Sequence, residues 1–514
     1  KAKKGDTVWV ARGTYWPTQT NDRNIYFDLP SGVALLGGFK GNETRADERN
    51  WHEQPTVLSG DIGMFGDSTD NAYTVVYMHY PDSTTLLDGF TIEHGNADSI
   101  PPDWAFKPYY LKETLGGGLY IMGQKGHAYP DIRNCTFRYN YAILGGGVYV
   151  NGEEGGSVAP RFLYCLFYRN TADTDGGGIY KDGSAITDRV PDYGHCTFVE
   201  NDAAHGAALY TEDQEGTDGL DLRHCIFLRN QAGRARGAAF VPFVGRRSGM
   251  RISLYGCVFK ENISATVFMP SVNFSAFWVD DIAAVTVDSC IFEDAASSFI
   301  ATTFGQKGVT KVSRCIFKNG GYIGIGSETN ASFMEDCYIE TERFSYTNVH
   351  LLRNKIYSKS ANMEGSIPTI FADNLLICPA CKIPFEQARF SKFTNNVVWA
   401  RTFFKARQSD LLVQNSIFIS RDTAPGNLVL AGGQPVRFEH CAFWGTRCST
   451  VGGLCTGSDN MTGLDPLFRD TANGDYTLLP CSPLINAGDN SAAAGLPTDL
   501  AGNPRIQGGR VDIG

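Results

Sequence analysis

Residues 135–140 read CTFRYN, and the phrase returns as CLFYRN at 165–170, CTFVEN at 196–201, CIFLRN at 225–230 and CVFKEN at 257–262, weakening to CIFEDA from Cys290 and CIFKNG from Cys315. The eight cysteines from Cys135 to Cys337 stand 30, 31, 29, 32, 33, 25 and 22 residues apart. Cys and Phe alternate with variable residues, the period-2 pattern of a short strand with one buried face. The Asn five residues after each Cys reads as the corner, because Asn tolerates left-handed geometry. A second phrase, GGGLY at 116–120, GGGVY at 145–149, GGGIY at 176–180, GAALY at 206–210 and GAAFV at 237–241, gives each repeat at least two strands.

The phase continues through RNKIY at 353–357, DNLLI at 373–377, NNVVW at 395–399, QNSIF at 414–418 and EHCAF at 439–443, where Ile, Leu, Val or Ser is expected to take the place of Cys. Such exchange fits an inward position for a small or medium apolar group, so the cysteines read as a buried thiol ladder. A zinc site is disfavoured, since successive cysteines fall on successive rungs without CxxC geometry. Repeats of this length with strand-sized pieces, frequent Gly and Asn and no helical periodicity point to an all-β chain, a single-stranded right-handed parallel β-helix or β-solenoid. The hand rests on the general preference of parallel crossovers.

The 514 residues carry 45 Lys plus Arg against 55 Asp plus Glu, a formal net charge of -10, which argues against a nucleic-acid partner. Gly, at 57 residues, is abundant without a collagen period, and no apolar run is long enough to span a bilayer. The organisation reads as irregular β-helix turns over 1–95, regular repeats over 96–345, shorter turns over 346–445 and a closing segment over 446–514.

The pieces GDTVWVARGTY at 5–15 and LDGFTIEHGNA at 87–97, followed by the GGG-aliphatic-Tyr and CxFxxN units, resemble secreted and surface β-helix proteins of Bacteroidetes with the pectin-lyase-like fold. The Gly-Gly-x-aliphatic and Phe-x-x-Asn units are also similar to the repeats of chlamydial polymorphic outer-membrane proteins. DPLFRDTANGDYTLLPCSPLINAGDN at 465–490 with TDLAGNPRIQGGRVDIG at 498–514 resembles the closing segment of bacterial surface proteins of this type. The resemblance implies a helical cap ahead of the Gly5 motif, a sorting or anchoring tail beyond the closing segment, and an exported protein at the cell surface or outside the cell, associated with the outer membrane.

Aligning the residue before each Gly-rich phrase gives Leu115, Leu144, Asp175, His205 and Arg236. Three consecutive rungs then carry a carboxylate able to orient an imidazole and a guanidinium able to bind an anion, an acid/base set if the chain is an enzyme. The plainer reading is a polar column with compensating charges. Arg234, Arg236, Arg246, Arg247 and Arg251 form a basic cluster suited to acidic glycans, or ordinary loop charge. Trp104, Phe106, Tyr109 and Tyr110 could offer sugar platforms, or pack the loop onto the wall.

His195 and His224 should face outward on neighbouring rungs, with no third metal ligand evident. NGEE at 151–154 is weakly similar to the calcium-binding Asn and Glu of β-helix lyases. No metal is therefore assigned and no cofactor is expected, apart from calcium if the chain is a lyase. Cys448 and Cys455 are a disulfide candidate, and the CPAC at 378–381 reads as a loop disulfide or two thiols, because a redox motif needs a helix N-terminus. Asp67-Ser68-Thr69, Asp82-Ser83-Thr84, Asp422-Thr423-Ala424 and Asp470-Thr471-Ala472 are similar to Bacteroidetes O-glycosylation triplets.

Neither the full Asp cluster of pectate-lyase-like enzymes nor the Gly-His-Gly of polygalacturonase-like hydrolases is present. The leading reading is a non-catalytic surface protein binding a polysaccharide or surface protein, as an accessory of an outer-membrane uptake system. A polysaccharide lyase or hydrolase for acidic glycans and a structural stalk are the alternatives, so catalysis stays open.

Overall fold

The computed structural model describes residues 2–514 apart from 100–111, 184–189, 214–218, 237–238, 245–250, 265–273, 278–283, 294–297, 304–308, 328–329, 365, 382–384, 386–388, 402–410, 421–425, 428–435 and 448–454. It falls into two compact units, residues 1–300 and 301–514.

In the first unit one turn runs Asp131–Arg133, Thr136–Arg138, Tyr141–Leu144 and Val148–Asn151. The next runs Arg161–Leu163, Leu166–Tyr168, Thr171–Asp175 and Ile179–Lys181. Every strand pairs in parallel with its counterpart one turn on. The fold is a parallel β-helix, and the period of about 30 residues is the perimeter of one rung.

Like stacks on like inside. Phe137, Phe167, Phe198, Phe227, Phe259 and Phe292 form a column with ring centroids 5.1, 4.6, 4.9, 4.7 and 4.8 Å apart. The thiols of Cys135 through Cys337 are buried and outside any disulfide, as expected. Several reach back to carbonyls of the preceding rung, as Cys196 Sγ to Phe162 O at 3.3 Å and Cys225 Sγ to Tyr193 O at 3.2 Å. Burial pushes the Cys135 thiol up to about 12, so it packs as a hydrophobe rather than a nucleophile.

The corners differ from expectation. The left-handed residue is the one before the Asn: Tyr139, Arg169, Glu200, Arg229 and Glu261 have φ of 55°, 51°, 54°, 50° and 54°. The residue before Cys is left-handed too, as at Tyr164, His195 and His224. The Asn turns inward because the corner's peptide groups need an internal partner. Asn201 Nδ2 donates to Phe167 O and Asn230 Oδ1, while its Oδ1 accepts from Asn170 N and Nδ2, all at 2.9–3.0 Å. Asn140, Asn170, Asn230 and Asn262 continue the ladder.

The glycines serve close approach: a Cβ on Gly146 would stand 2.2 Å from Thr171 O, and one on Gly147 2.5 Å from Gly178 O. Outside, charge compensates along the stack, with Glu200 held by Arg169 at 2.7 Å and Arg229 at 2.8 Å.

In the second unit the rungs shorten to about 20 residues. Ser332–Glu335, Val349–Leu352, Thr369–Ala372, Phe390–Thr394, Leu411–Gln414 and Val436–Glu439 stack in parallel. Tyr338 aligns with Lys355, Lys355 with Leu375 and Leu375 with Val397. That register corrects the expected substitution of Cys by Ile, Leu or Val: the residues below Cys337 are Asn354, Asn374 and Asn396, then Ser416 as anticipated. They form a second amide ladder, with Cys337 N donating to Asn354 Oδ1, Asn354 N to Asn374 Oδ1 and Asn374 N to Asn396 Oδ1 at 2.9–3.0 Å. An amide that satisfies the corner can replace a thiol that merely fills it.

The closing segment contributes Leu484 and Ile513 to a core with Ile417, Ile419 and Ala442. Cys378 and Cys381 form a disulfide. Among the described residues no helix is long and apolar enough to cross a membrane.

Candidate functional site

The strands Tyr141–Leu144, Thr171–Asp175, Asp202–His205 and Gln231–Arg236 align Leu144 with Asp175, Asp175 with His205, and His205 with Arg236. A bridge sets Leu115 beside Leu144. The backbone therefore brings the aligned sequence column into one line. His205 Nδ1 donates to Asp175 Oδ1 at 2.7 Å, with side chains 25% and 21% exposed. The carboxylate fixes the imidazole and leaves Nε2 for a partner. Arg236 and Arg234 are placed by backbone alone.

Beside this column lies a stack of tyrosines, Tyr77, Tyr120, Tyr149, Tyr180 and Tyr210, with centroid spacings of 4.7, 5.3, 5.2 and 5.2 Å. Their rings pack with Leu115 and Leu144 in one buried cluster. The hydroxyls point to a polar rim: Asn151 Nδ2 donates to Tyr120 Oη, and Tyr180 Oη donates to Glu212, both at 2.7 Å. Burial pushes the Tyr120 phenol up to about 12 and Tyr149 and Tyr180 further up.

On that rim Glu153 faces Asp182. Burial and the neighbouring Asp182 carboxylate push the Glu153 carboxyl up to about 8, and burial raises Asp182 as well. The pair retains a proton near neutrality. The buried Lys181 donates to Gly183 O. The unfolded chain loses the Glu153 proton above about 4.5, whereas the folded chain keeps it to about 8. This contribution to stability is thus full below about pH 4.5 and is lost as the pH rises through about 8. Urea midpoints at pH 5, 7 and 9 should fall less in Glu153→Gln than in the native chain; equal falls would remove Glu153 as the source.

Sequence reasoning singled out Asn151 and Glu153 within NGEE but missed Asp182 and Glu212. The signal of the rim is a fixed offset, since Asn151, Asp182 and Glu212 each lie two residues after a stack tyrosine. The residues of the NGEE loop take separate partners: Asn151 binds Tyr120, Glu153 faces Asp182, and Glu154 pairs with Lys125 at 2.6 Å. His195 and His224 stack outward as expected, 5.0 Å apart, in a column with Tyr164 and Tyr255. Asp67 and Asp82 accept from the backbone and hydroxyl of Thr69 and Thr84, so these triplets build local turns. Trp104, Phe106, Tyr109, Tyr110, Arg246, Arg247, Asp422 to Ala424 and Cys448 lie outside the described residues, and with Cys448 the proposed bridge to Cys455.

Residues 164–182 match the Chlamydia polymorphic membrane protein (Chlamydia_PMP) repeat. The stretch runs from the corner Tyr164 through Phe167 and Asn170 to Asp175, the Gly-rich phrase, Tyr180 and Asp182. No curated protein matches the chain. A solved structure described as a mannuronic acid specific polysaccharide family 6 lyase enzyme from human gut microbiota is similar over 91% of this chain and 87% of that one, at 12% identity and a TM-score of 0.30.

Proposed function

We propose that the chain is the β-helical body of a cell-surface protein that binds acidic glycans on the lateral face of rungs 144–236, as the recognition element of an outer-membrane uptake system. The observation that carries this reading is the partly exposed Asp175–His205 pair, with Arg236 in backbone register on the next rung: an oriented imidazole on a rung that adjoins an arginine position suits hydroxyl and carboxylate groups of a uronate chain. The Chlamydia repeat supports the surface location. Recognition needs only these contacts. One observation favours catalysis as the second reading, the Glu153 carboxyl that keeps its proton near neutrality.

The test is incubation of the whole chain with acidic and neutral polysaccharides, with and without calcium, following unsaturated uronate absorbance, new reducing ends and binding together. Binding of an acidic polymer without turnover, weakened about tenfold or more in Asp175→Ala, is expected. Turnover that Asp175→Ala or Glu153→Gln abolishes would replace recognition by catalysis, and failure of every acidic polymer to bind would sink the proposal.

A further inference from the structure

The second unit holds a cavity of about 800 Å³ between its rungs and the closing segment. That is large against the roughly 30 Å³ of a water and within the range of small-molecule sites. Its wall includes Asp373 and Asn395 of a corner column that continues to Asn415, left-handed at φ of 58°, 54° and 48°, where Asn and Asp fit with least strain.

The closing segment satisfies this column unevenly. Asn415 Nδ2 donates to Asp489 O at 2.9 Å, and its Oδ1 accepts from Asp489 N at 2.7 Å. His440, next along the column, has Nδ1 3.1 Å from Ala487 O. Asp373 pairs through Oδ1 with the Arg505 guanidinium, which also donates from Nη1 to Gly514 O at 3.2 Å. Asn395 accepts a bond from Thr394 Oγ1 at 3.2 Å, but its amide nitrogen has no acceptor. Asp373 Oδ2 and Arg505 Nε are likewise without partners. Asp373 and Asn395 are both 2% exposed. Burial holds the Arg505 guanidinium down at about 10, a sign of how dry its setting is.

Asp373, Asn395 and Arg505, which line this single space, thus carry two unmet donors and one unmet acceptor, each covered just beneath its surface. A hydroxyl both accepts and donates, so adjacent hydroxyls meet all three groups where a lone carboxylate or ammonium meets only some. Asp373, Asp475, Asp499 and Asp512 outnumber Lys355 and Arg505 in the lining, which disfavours an anion. Val397, Leu478 and Ile485, each partly exposed, supply an apolar side for the C–H face of a sugar ring. We propose that this cavity binds a neutral saccharide of one to three units, its vicinal hydroxyls held by Asp373, Asn395 and Arg505. The site differs in place and in charge preference from the Asp175–His205 face, and neither proposal depends on the other.

The experiment is saturation-transfer NMR on the whole chain with glucose, maltose, cellobiose, lactose and chitobiose, at concentrations up to about 10 mM. At least one should bind competitively and saturably. Asn395→Gly keeps the left-handed corner comfortable while removing the amide, and Asn395→Asp exchanges the donor for an acceptor. Each should weaken binding by about tenfold or more, with the far-UV spectrum and urea midpoint showing that the chain is folded, and Asp175→Ala should leave it unchanged. No binding by any neutral sugar overturns the proposal, as does binding that both folded Asn395 variants retain in full.

Discussion

Phe198→Ala is expected to lower the unfolding free energy by about 3–5 kcal/mol, the range for deleting a buried phenyl ring. Phe198 stacks on Phe167 at 4.6 Å and Phe227 at 4.9 Å and is fully buried. The cost includes a cavity, because hydrogen-bonded backbones set the rung spacing and the adjacent rings cannot close the gap. Phe198→Leu should recover a substantial part by refilling it. The check is chemical denaturation of the three chains under conditions where unfolding reverses. A loss below about 1 kcal/mol for Phe198→Ala would mean that this column is not the packed axis of the first unit.

Asn201→Ala should cost about 2–6 kcal/mol through a different mechanism. Removing the amide strips the Phe167 carbonyl and the Asn170 N–H of partners inside the body, at roughly 1–3 kcal/mol for each buried group left unmet. The side-chain amides of Asn170 and Asn230 lose a neighbour as well. Asn201→Asp preserves size yet cannot donate to Phe167 O when ionised, so it should fail to restore stability at neutral pH. Hydrogen exchange offers an independent reading: protection of the Asn170 amide should collapse first in Asn201→Ala and persist in Asn201→Asp, whose carboxylate still accepts from it. Unchanged protection in Asn201→Ala would show that water or a shifted peptide replaces the ladder.

How much of this was legible in the sequence depends on whether a position repeats. Cys, Phe and Asn recur at fixed phase, and so the parallel β-helix, the thiol column and the alignment of Asp175, His205 and Arg236 could all be counted off. The meaning of Asn was harder to read, since Asn is both a left-handed corner residue and an internal amide. The rungs spend left-handed geometry on Tyr139, Arg169 and Glu200 and keep Asn for the interior. The same ambiguity hid Asn354, Asn374 and Asn396 in the cysteine column. Asp182 follows the end of one strand and Glu212 lies within the next rung's strand, so their chemistry appears only once adjacent rungs are superposed. The cavity of the second unit was invisible because it joins Asp373 and Asn395 to Arg505, more than 100 residues away, with no periodicity to connect them.

The central claim is that the Asp175–His205 column faces a glycan. Its most direct measurement is the ¹⁵N resonances of the His205 ring in the whole chain, titrated with a uronate oligosaccharide against a neutral one. The account predicts a saturable shift of Nε2 with the uronate, Nδ1 staying bonded to Asp175, and loss of the shift in Asp175→Ala. Tight uronate binding with both His205 nitrogens unmoved would contradict it and place recognition elsewhere on the chain.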